Sequence, residues 1–384
     1  MSALKYWLWL ATRSGIGLVR ARVLLEHFGS PEKVYYAADR DYLDIEGIKL
    51  TDITELMKKD LDIPNKIISS CAQTGCRTIT LQDADYPDRL RNIYDPPLVL
   101  YIKGNLPHID DEPVVGVVGT RNCTPYGLIT AETVGRRLSN QGVIVVTGLA
   151  RGVDTAATKG ALNGGAHIIG VIGSGLDIVY PPENKSVFED VLNTGAIISE
   201  YPPGTPAVPQ NFPARNRIIS GISLGVAVIE APKKSGALIT AARALEQGRD
   251  VFALPGNVDA INCIGSNALL REGAIPFMSA DDIIDEYIEL YPDKMGLLER
   301  PEQKSIDNTS KVDYIDLGNL LEKLEGDEKD IVRSIGYNPV NIDEIIIMTG
   351  FPAQKVLASL TMLELSGYIK RDKNGKWETL NLNG

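Results

Sequence analysis

Glycines, hydroxyl groups and cations recur together at several short segments in the middle of this chain. These segments contain Gly119, Thr120 and Arg121; Gly148, Arg151 and Gly152; Gly173, Ser174 and Gly175; and Lys233, Ser235, Gly236 and Ala237. A glycine allows the backbone to approach a ligand closely, and backbone N–H groups beside a cation bind oxyanions. An arginine in such a loop can hold one phosphate at two points. The chemistry that these residues predict is phosphate binding.

A fifth segment, residues 211–221, adds two more arginines. The cations of all five segments are Arg121, Arg151, Arg215, Arg217, Lys233 and Lys234. One such loop is weak evidence for a site, but several loops at one edge of a sheet are considerably stronger evidence. We therefore expect a phosphate-lined crevice on an otherwise acidic protein.

Strands of a parallel sheet are the elements that would position these loops. The candidates are Arg77 to Leu81, Leu98 to Ile102, Val114 to Gly119, Val143 to Thr147, His167 to Ile172, Ala196 to Ser199, Gly225 to Ile229 and Asp250 to Ala253. The third is an almost unbroken run of β-branched residues and glycine, which is typical of a strand covered on both faces. Helical stretches separate most strands, so the sequence predicts an α/β fold with an extended Rossmann-like, doubly wound, mainly parallel sheet. Ligands of such sheets bind beyond the carboxyl ends of the strands, where almost all of the segments fall.

The segment before the sheet, residues 1–70, predicts a helical domain. Glycine turns at residues 15–17 and, less cleanly, at 45–48 resemble helix-hairpin-helix or SAM-like motifs, whose turn amides can grip a phosphate. A small helical bundle with glycine turns is equally consistent with these residues. The sheet domain is then predicted to span residues 75–291.

Beyond the sheet domain, residues 292–322 have little apolar periodicity and predict a linker. Residues 323–384 predict three helices and a hairpin around Asn374-Gly375, the pattern of a winged helix. In the third helix Lys355 is the only cation, whereas the wing is richer in lysine and arginine. A helix that recognises DNA bases in the major groove usually carries several polar or basic side chains. We therefore expect this domain to dock a protein or to bind DNA weakly.

Composition narrows the class of protein. The chain has 384 residues, of which 44% are hydrophobic, and this length predicts two or three domains. A formal net charge of −11 argues against a protein that coats nucleic acid indiscriminately. The four cysteines form no CxxC pair and have no histidine nearby at zinc spacing, so we expect reduced thiols, no metal and no cofactor. Without a signal-peptide pattern or an apolar span of about 18 residues, we expect a cytoplasmic protein that makes no membrane contact.

Nucleotide enzymes are the principal alternative class. The glycines around residues 116 and 173 fall short of the G-x-G-x-x-G dinucleotide pattern, and no Walker sequence occurs. A nucleotide or nucleoside-phosphate hydrolase using the same crevice stays open, with Asp154, Glu200 or Glu230 as its acid. We favour helix capping or salt bridges as the roles of these carboxylates, because none has an evident partner base.

Five motifs follow one another through the sheet region: VGTR, TGLARGVD, GSGLDIVYPPENK, SEYPPGTPAVPQNFPARNRIISG and SGALITAARALEQGRDVFALPG. Their wording and order resemble the DNA-processing protein A family, also called Smf, over residues 75–290. The resemblance implies a Rossmann-like domain that binds single-stranded DNA, forms homodimers and loads the RecA recombinase onto incoming strands during natural transformation. It also implies no enzymatic turnover. The PGG-x-GT-x-x-E loop of nucleoside-monophosphate phosphoribohydrolases, which share the fold, is absent.

The resemblance to the family implies that Arg121 lies in a phosphate pocket, with Asn184, Lys185 and Phe188 beside it. Lys185 and Phe188 share a predicted helical face, so one could take a phosphate while the other stacks on a base. Phe188 fits a core stripe equally well, and both interpretations stay open. Further aromatic candidates for stacking are Tyr126, Tyr180, Tyr201 and Phe212. The family's dimer interface maps to residues 267–275, which a core role explains equally well.

Overall fold

The computed structural model describes residues 3–296, 324, 326–335, 340–371 and 375–379. Residues 1–299 form one compact unit and residues 300–384 form a second. The predicted linker, residues 292–322, lies outside the described residues beyond Gly296. The boundary predicted at residues 70–75 falls inside the first unit and stays a prediction. Within the described ranges, no helix is both long enough and apolar enough to cross a bilayer.

Five helices precede the sheet, as predicted for this segment. They are α1 (Leu4–Ala11), α2 (Leu18–Phe28), α3 (Pro31–Tyr36), α4 (Leu50–Leu56) and α5 (Asp62–Thr74), with a 3-10 turn at Asp39–Tyr42. Gly75 ends α5 in the left-handed conformation, with φ of 69°, which glycine adopts without steric cost. Trp9, Leu24, Tyr42 and Leu56 are fully buried, and their cluster continues into the core beneath the sheet. The helix-hairpin-helix assignment stays a prediction.

The described part of the first unit contains a nine-stranded sheet. Its strands are β1 (Arg77–Thr80), β2 (Val99–Gly104), β3 (Val114–Val118), β4 (Ile144–Thr147), β5 (Ile168–Val171), β6 (Ala196–Ser199), β7 (Gly225–Val228), β8 (Asp250–Ala253) and β9 (Ile275–Pro276). The spatial order is β1-β2-β6-β5-β4-β3-β7-β8-β9. β2 pairs antiparallel with β1 and β6, and all other neighbouring pairs are parallel. The predicted mainly parallel, doubly wound sheet is therefore confirmed.

Helices cover both faces of this sheet. They are α6 (Asp88–Arg91), α7 (Pro125–Asn140), α8 (Val153–Leu162), α9 (Lys185–Thr194), α10 (Asn211–Ile222), α11 (Gly236–Glu246), α12 (Ile264–Arg271) and α13 (Ala280–Tyr287), with 3-10 turns at Ile109–Asp111, Pro182–Asn184 and Ile261–Cys263. In β3, Val115 and Val117 join the core that includes α7 and α8. Val114 and Val118 join the core that includes α10 and α11. Because both faces are buried, the strand reads as an unbroken apolar run.

The direction of the chain reverses at β3. From β3 the chain passes through α7 to β4 on one side, whereas β7, on the other side of β3, follows only after β5 and β6. A crevice opens at the carboxyl edge of a sheet where adjacent strands connect in opposite directions. The loops after β3 and β7 meet at this crevice.

The second unit contains a winged helix, as predicted. Its elements are α14 (Gly326–Ile335), α15 (Ile342–Thr349), α16 (Ala353–Leu365), β10 (Ile369–Arg371) and β11 (Trp377–Thr379). The two strands pair antiparallel, which confirms the predicted hairpin, although Asn374 lies outside the described residues. Ile331, Leu360, Leu363 and Trp377 form a separate buried core for this unit.

Candidate nucleic-acid interface

A cavity of about 480 Å³ lies at the carboxyl ends of β3 and β7. Three cations line it, namely Arg121, Arg215 and Lys234. Its other lining residues include Gly119, Thr120, Ala150, Asp154, Tyr180, Phe212, Asn216, Ser235, Gly236, Ala237 and Thr240. The structure therefore brings together predicted residues from the loops after β3, β4 and β7 and from α10.

The loop after β3 is fixed by backbone contacts. The N–H of Thr120 donates to the carbonyl of Glu230 (2.8 Å), and the carbonyl of Thr120 accepts from the N–H of Val153 (3.3 Å). A Cβ at Gly119 would lie 2.5 Å from Cγ2 of Val153, so glycine permits the close packing of α8. With the loop held in this way, the exposed side chain of Arg121 stands at the cavity mouth.

The loop after β4, residues 148–152, is fixed from two sides. The carboxylate of Asp154 accepts from the N–H groups of Gly148 (3.0 Å) and Ala150 (3.4 Å). Leu149 is the one non-glycine residue in the described ranges with positive φ, at 50°. Asn184 donates from Nδ2 to the carbonyl of Leu149 (3.0 Å) and so supports this strained conformation. Predicted as a ligand contact, Asn184 is instead 6% exposed and holds the loop.

Two neighbouring arginines of α10 have different surroundings. Arg217 is 3% exposed, and its guanidinium forms two hydrogen bonds with Glu200, of 2.8 and 2.6 Å. Its Nε also lies 3.2 Å from the carboxylate of Asp95. Predicted to contact phosphate, Arg217 instead satisfies two carboxylates and does not line the cavity. Its role is to pin α10 to the loops before it.

Arg215 lines the cavity although it is only 4% exposed. Its Nη1 donates to the carbonyl of Val171 (2.5 Å), and its Nε has no hydrogen-bond partner. A Cβ at Gly148 would collide with its guanidinium, so glycine makes room for this side chain. Burial lowers the pKa of Arg215 to about 10, and burial raises the pKa of the neighbouring Asp154. The arginine therefore stays charged at neutral pH.

The start of α11 forms another wall of the cavity. Ser235 caps this helix, since its hydroxyl accepts from the N–H of Ala237 (3.3 Å). A Cβ at Gly236 would meet no protein atom within 4 Å, so this position borders open space. Lys234 is exposed and lines the cavity, whereas the exposed Lys233 does not. A helix N-terminus with adjacent cations is a favourable environment for an anion.

A stack of side chains forms the rim. The guanidinium carbon of Arg121 lies 5.3 Å from the ring centroid of Phe212. The Phe212 ring in turn stacks on Tyr180, with centroids 5.4 Å apart and planes at 29°. Both rings are partly exposed and line the cavity, whereas Tyr126 and Tyr201 do not. The rim therefore presents two partly exposed aromatic rings beside a guanidinium group.

The loop after β5, residues 173–175, which is predicted to contact phosphate, binds neighbouring segments of the chain. The carbonyl of Gly173 accepts a hydrogen bond from Nδ2 of Asn211 (2.9 Å). The side chain of Ser174 is buried, since the residue is 2% exposed. The N–H of Gly175 donates to the carbonyl of Thr205 (2.9 Å). Their polar groups hold neighbouring segments, and none of the three glycine and serine residues lines the cavity.

Four further predicted residues lie outside the main cavity. Arg151 is exposed and pairs with Glu183, and Lys185 is exposed on the first turn of α9. Gly152, the N-cap residue before α8, has φ of 75°. Phe188 is 4% exposed and belongs to the hydrophobic core. Of the two interpretations of Phe188, the core role is therefore confirmed.

The three carboxylates considered as catalytic acids all have structural partners. Asp154 binds the amides of its own loop, and Glu200 pairs with Arg217. Glu230 is 1% exposed and accepts from the N–H (2.9 Å) and the hydroxyl (2.5 Å) of Thr124, at the start of α7. Ion pairing is confirmed for Glu200, and Glu230 accepts hydrogen bonds from Thr124, the N-cap residue of α7. Asp154 neither caps a helix nor forms an ion pair with a described residue, since it binds loop amides instead.

The cavity also contains residues that are not in the set predicted to bind phosphate. The sequence marks Lys234 as a loop cation, and it marks Tyr180 and Phe212 as candidates for stacking. No sequence pattern distinguishes Lys234 from Lys233, because adjacent loop residues differ only in the direction of their side chains. The sequence does not single out Asn216.

A doubly wound sheet with a cationic cavity at the reversal point, together with a winged helix, defines a class of Rossmann-like proteins with an added winged-helix domain. Residues 77–288 match the family model described as DNA recombination-mediator protein A, and residues 319–375 match the DprA winged helix domain. The chain belongs to the DNA-processing protein A family, also called Smf.

Known relatives support this membership over the whole chain. Protein Smf of Synechocystis is 33% identical over 394 residues, which cover 97% of this chain and 98% of the relative. The X-ray structure of DNA processing protein A from Streptococcus pneumoniae has a TM-score of 0.66 and 37% identity, covering 74% of this chain and 99% of that one. A structure of the Helicobacter pylori protein, described for its single-stranded DNA binding mode, has a TM-score of 0.51 and 30% identity, covering 56% and 97%.

Proposed function

We propose that this protein binds single-stranded DNA at the cavity and transfers it to a RecA recombinase during natural transformation. The observation that carries the DNA-binding step is an asymmetry among the cations. Arg121, Arg215 and Lys234 line one cavity, and none of them forms an ion pair with a carboxylate of the described residues. Arg151 and Arg217, by contrast, are paired. Unpaired cations that converge on one cavity are suited to hold phosphate.

Aromatic side chains support the preference for a single strand. Phe212 and Tyr180 stand at the rim, and an unpaired base can stack on a ring that a paired base cannot reach. A neutral aromatic ring can contact the base of a nucleotide, and an adjacent guanidinium can bind the phosphate of the same nucleotide. The H. pylori relative, described for single-stranded DNA binding, agrees with this proposal.

Family membership is the support for transfer to RecA and for homodimer formation. Neither step is inferred from a contact among the described residues of this chain. We place both steps in the proposal because a mediator must hold a strand and release it to its partner. The test of this part is RecA filament formation on single strands in the presence of the full-length protein. Faster formation supports the transfer, and unchanged or slower formation contradicts it.

The DNA-binding step is tested by fluorescence anisotropy with a single strand and its duplex. We expect tighter binding of the single strand, and each phosphate contact should add about 0.7 to the slope of log K against log salt. Binding that is independent of salt contradicts the proposal. A nucleotide-turnover assay on the same preparation tests the hydrolase alternative, for which turnover would have to depend on the cavity residues.

A further inference from the structure

The deepest cation of the cavity has an unsatisfied N–H group. Arg215 is 4% exposed, its Nε has no hydrogen-bond partner, and its hydrogen bond from Nη1 goes to a backbone carbonyl. Leaving a buried donor unpaired is costly, and a charged donor more so. Arg215 also lines the cavity, so its guanidinium borders the space that a ligand would occupy, beyond the exposed Arg121.

A second element points into the same space. Helix α11 has eleven residues, and its first residue, Gly236, borders the open part of the cavity. Lys234 precedes it and makes no ion pair in the described part of the chain. The opposing charge is Asp154, whose carboxylate is engaged by the amides of Gly148 and Ala150. Cationic charge therefore exceeds anionic charge around the cavity.

Charge and volume both exceed what a phosphodiester requires. A diester within a strand carries one negative charge, whereas a phosphomonoester carries about 1.5 to 2 at neutral pH. A volume of about 480 Å³ lies within the range of small-molecule sites and is much larger than a phosphate group needs. A diester must also continue in two directions, while a terminal nucleotide enters from one side.

We propose that the cavity holds a nucleoside phosphomonoester, either the phosphorylated terminal nucleotide of a DNA strand or a free nucleotide. Its phosphate binds between Arg215 and the start of α11, and its base stacks at Phe212. This inference rests on the proposed function, because it specifies which part of a strand enters the same site. With the strand terminus as the ligand, strand ends are the preferred point of attachment, whereas a free nucleotide would compete for the same cavity.

The experiment compares short single strands of one sequence that differ only at their ends. The probes carry a 5′-phosphate, a 3′-phosphate or hydroxyls at both ends, and a closed circle provides a strand without ends. We expect one phosphorylated end to bind about tenfold more tightly than the hydroxyl form, the effect of one charge-assisted contact. Thymidine monophosphate, with thymidine as its control, competes in a separate series.

Two variants report on the cavity itself. Gly236→Leu should place an apolar side chain in the open part of the cavity, since an added Cβ meets no protein atom within 4 Å. Arg215→Met removes the guanidinium and retains most of the side chain. Both should abolish the preference for a phosphorylated end. Arg243→Ala is the control, because this exposed arginine in the last turn of α11 lies outside the cavity and should leave the end preference unchanged.

The outcomes separate this inference from the proposed function. A preference for one phosphorylated end that Gly236→Leu removes supports the strand terminus as ligand. Competition by thymidine monophosphate but not thymidine, without an end preference, supports the free nucleotide. Equal, salt-dependent binding of all strands and the circle, with no competition, overturns the inference while leaving the proposed function intact. Absence of single-strand binding overturns both.

Discussion

The guanidinium carbon of Arg121 lies 5.3 Å from the ring centroid of Phe212, and this contact takes the place of an ion pair. The cation stacks on an aromatic face instead of a carboxylate, so its charge remains available to a ligand. The ring is itself stacked on Tyr180 and cannot turn away freely. The pair therefore presents a fixed cation and a fixed ring at the mouth of the cavity.

Replacing Arg121 with alanine should weaken single-strand binding without destabilising the protein. The side chain is exposed and forms no ion pair with a described residue, including Asp154. We expect the salt slope of log K to fall by about 0.7, the contribution of one phosphate contact. Anisotropy titrations and urea midpoints measure the two effects. Arg243→Ala, in the last turn of α11, is the matched control. A loss of affinity that only follows the folded fraction would show that Arg121 is structural.

Two phenylalanines should respond in opposite ways to replacement by alanine. Phe188 belongs to the core, so Phe188→Ala should lower the free energy of unfolding by about 3–5 kcal/mol. Phe212 lies at the rim, so Phe212→Ala should cost about 1–3 kcal/mol of binding free energy and little stability. Urea denaturation and DNA titration of both variants provide the comparison. The assignment is wrong if folded Phe188→Ala binds more weakly than Phe212→Ala.

Arg217 should matter for stability and not for DNA binding. Its guanidinium is buried between Glu200 and Asp95, so Arg217→Met leaves two partly exposed carboxylates without their partner. Removing one member of a fully buried pair costs about 3–5 kcal/mol of folding free energy, and we expect a smaller loss here because water can reach the carboxylates. The urea midpoint should fall while the folded fraction retains its affinity. If Arg217→Met weakens DNA binding and leaves stability unchanged, Arg217 contacts the ligand and its role is not structural.

The sequence predicts the central sheet well because its strands are buried on both faces. The unbroken run at β3 and the helices between strands allow few other arrangements. β9 could not be predicted, since it has two residues and one is proline. It forms by pairing with β8, a contact made only after the chain has folded.

The site was predicted less completely, because the fate of a charged side chain depends on distant partners. Arg215 and Arg217 are two residues apart on α10, yet one lines the cavity and the other pairs with Glu200 and Asp95. Neither carboxylate has a sequence pattern that links it to the arginine. Gly173 and Ser174 likewise match a phosphate loop in sequence but bond to neighbouring segments.

Deleting residues 300–384 should leave single-strand binding largely intact. The three unpaired cavity cations all belong to the first unit, which has its own core. In the winged helix, Lys355 pairs with Asp327 at 2.8 Å and is not free to bind phosphate. Affinity of the truncated protein, checked for folding by circular dichroism, provides the measurement. A large loss of affinity in a folded truncation would assign the main DNA contacts to the winged helix.

Lys59 gives the stability of the first unit a specific dependence on pH. Its ammonium lies 5.1, 5.4 and 5.6 Å from the rings of Trp9, Tyr35 and Tyr42, and burial lowers its pKa from 10.5 to about 8. Between these two values the unfolded chain binds more protons than the folded protein, so stability from this residue rises with pH.

Burial also raises the pKa of cysteines and tyrosines such as Cys71 and Tyr42, which opposes this rise in the parent and in the variant alike. The urea midpoint of the parent relative to that of Lys59→Met should therefore increase from pH 8 towards pH 10. Lys58→Met, at an exposed neighbour, should show the same increase relative to Lys59→Met. A difference between parent and Lys59→Met that does not change with pH would contradict this role of Lys59.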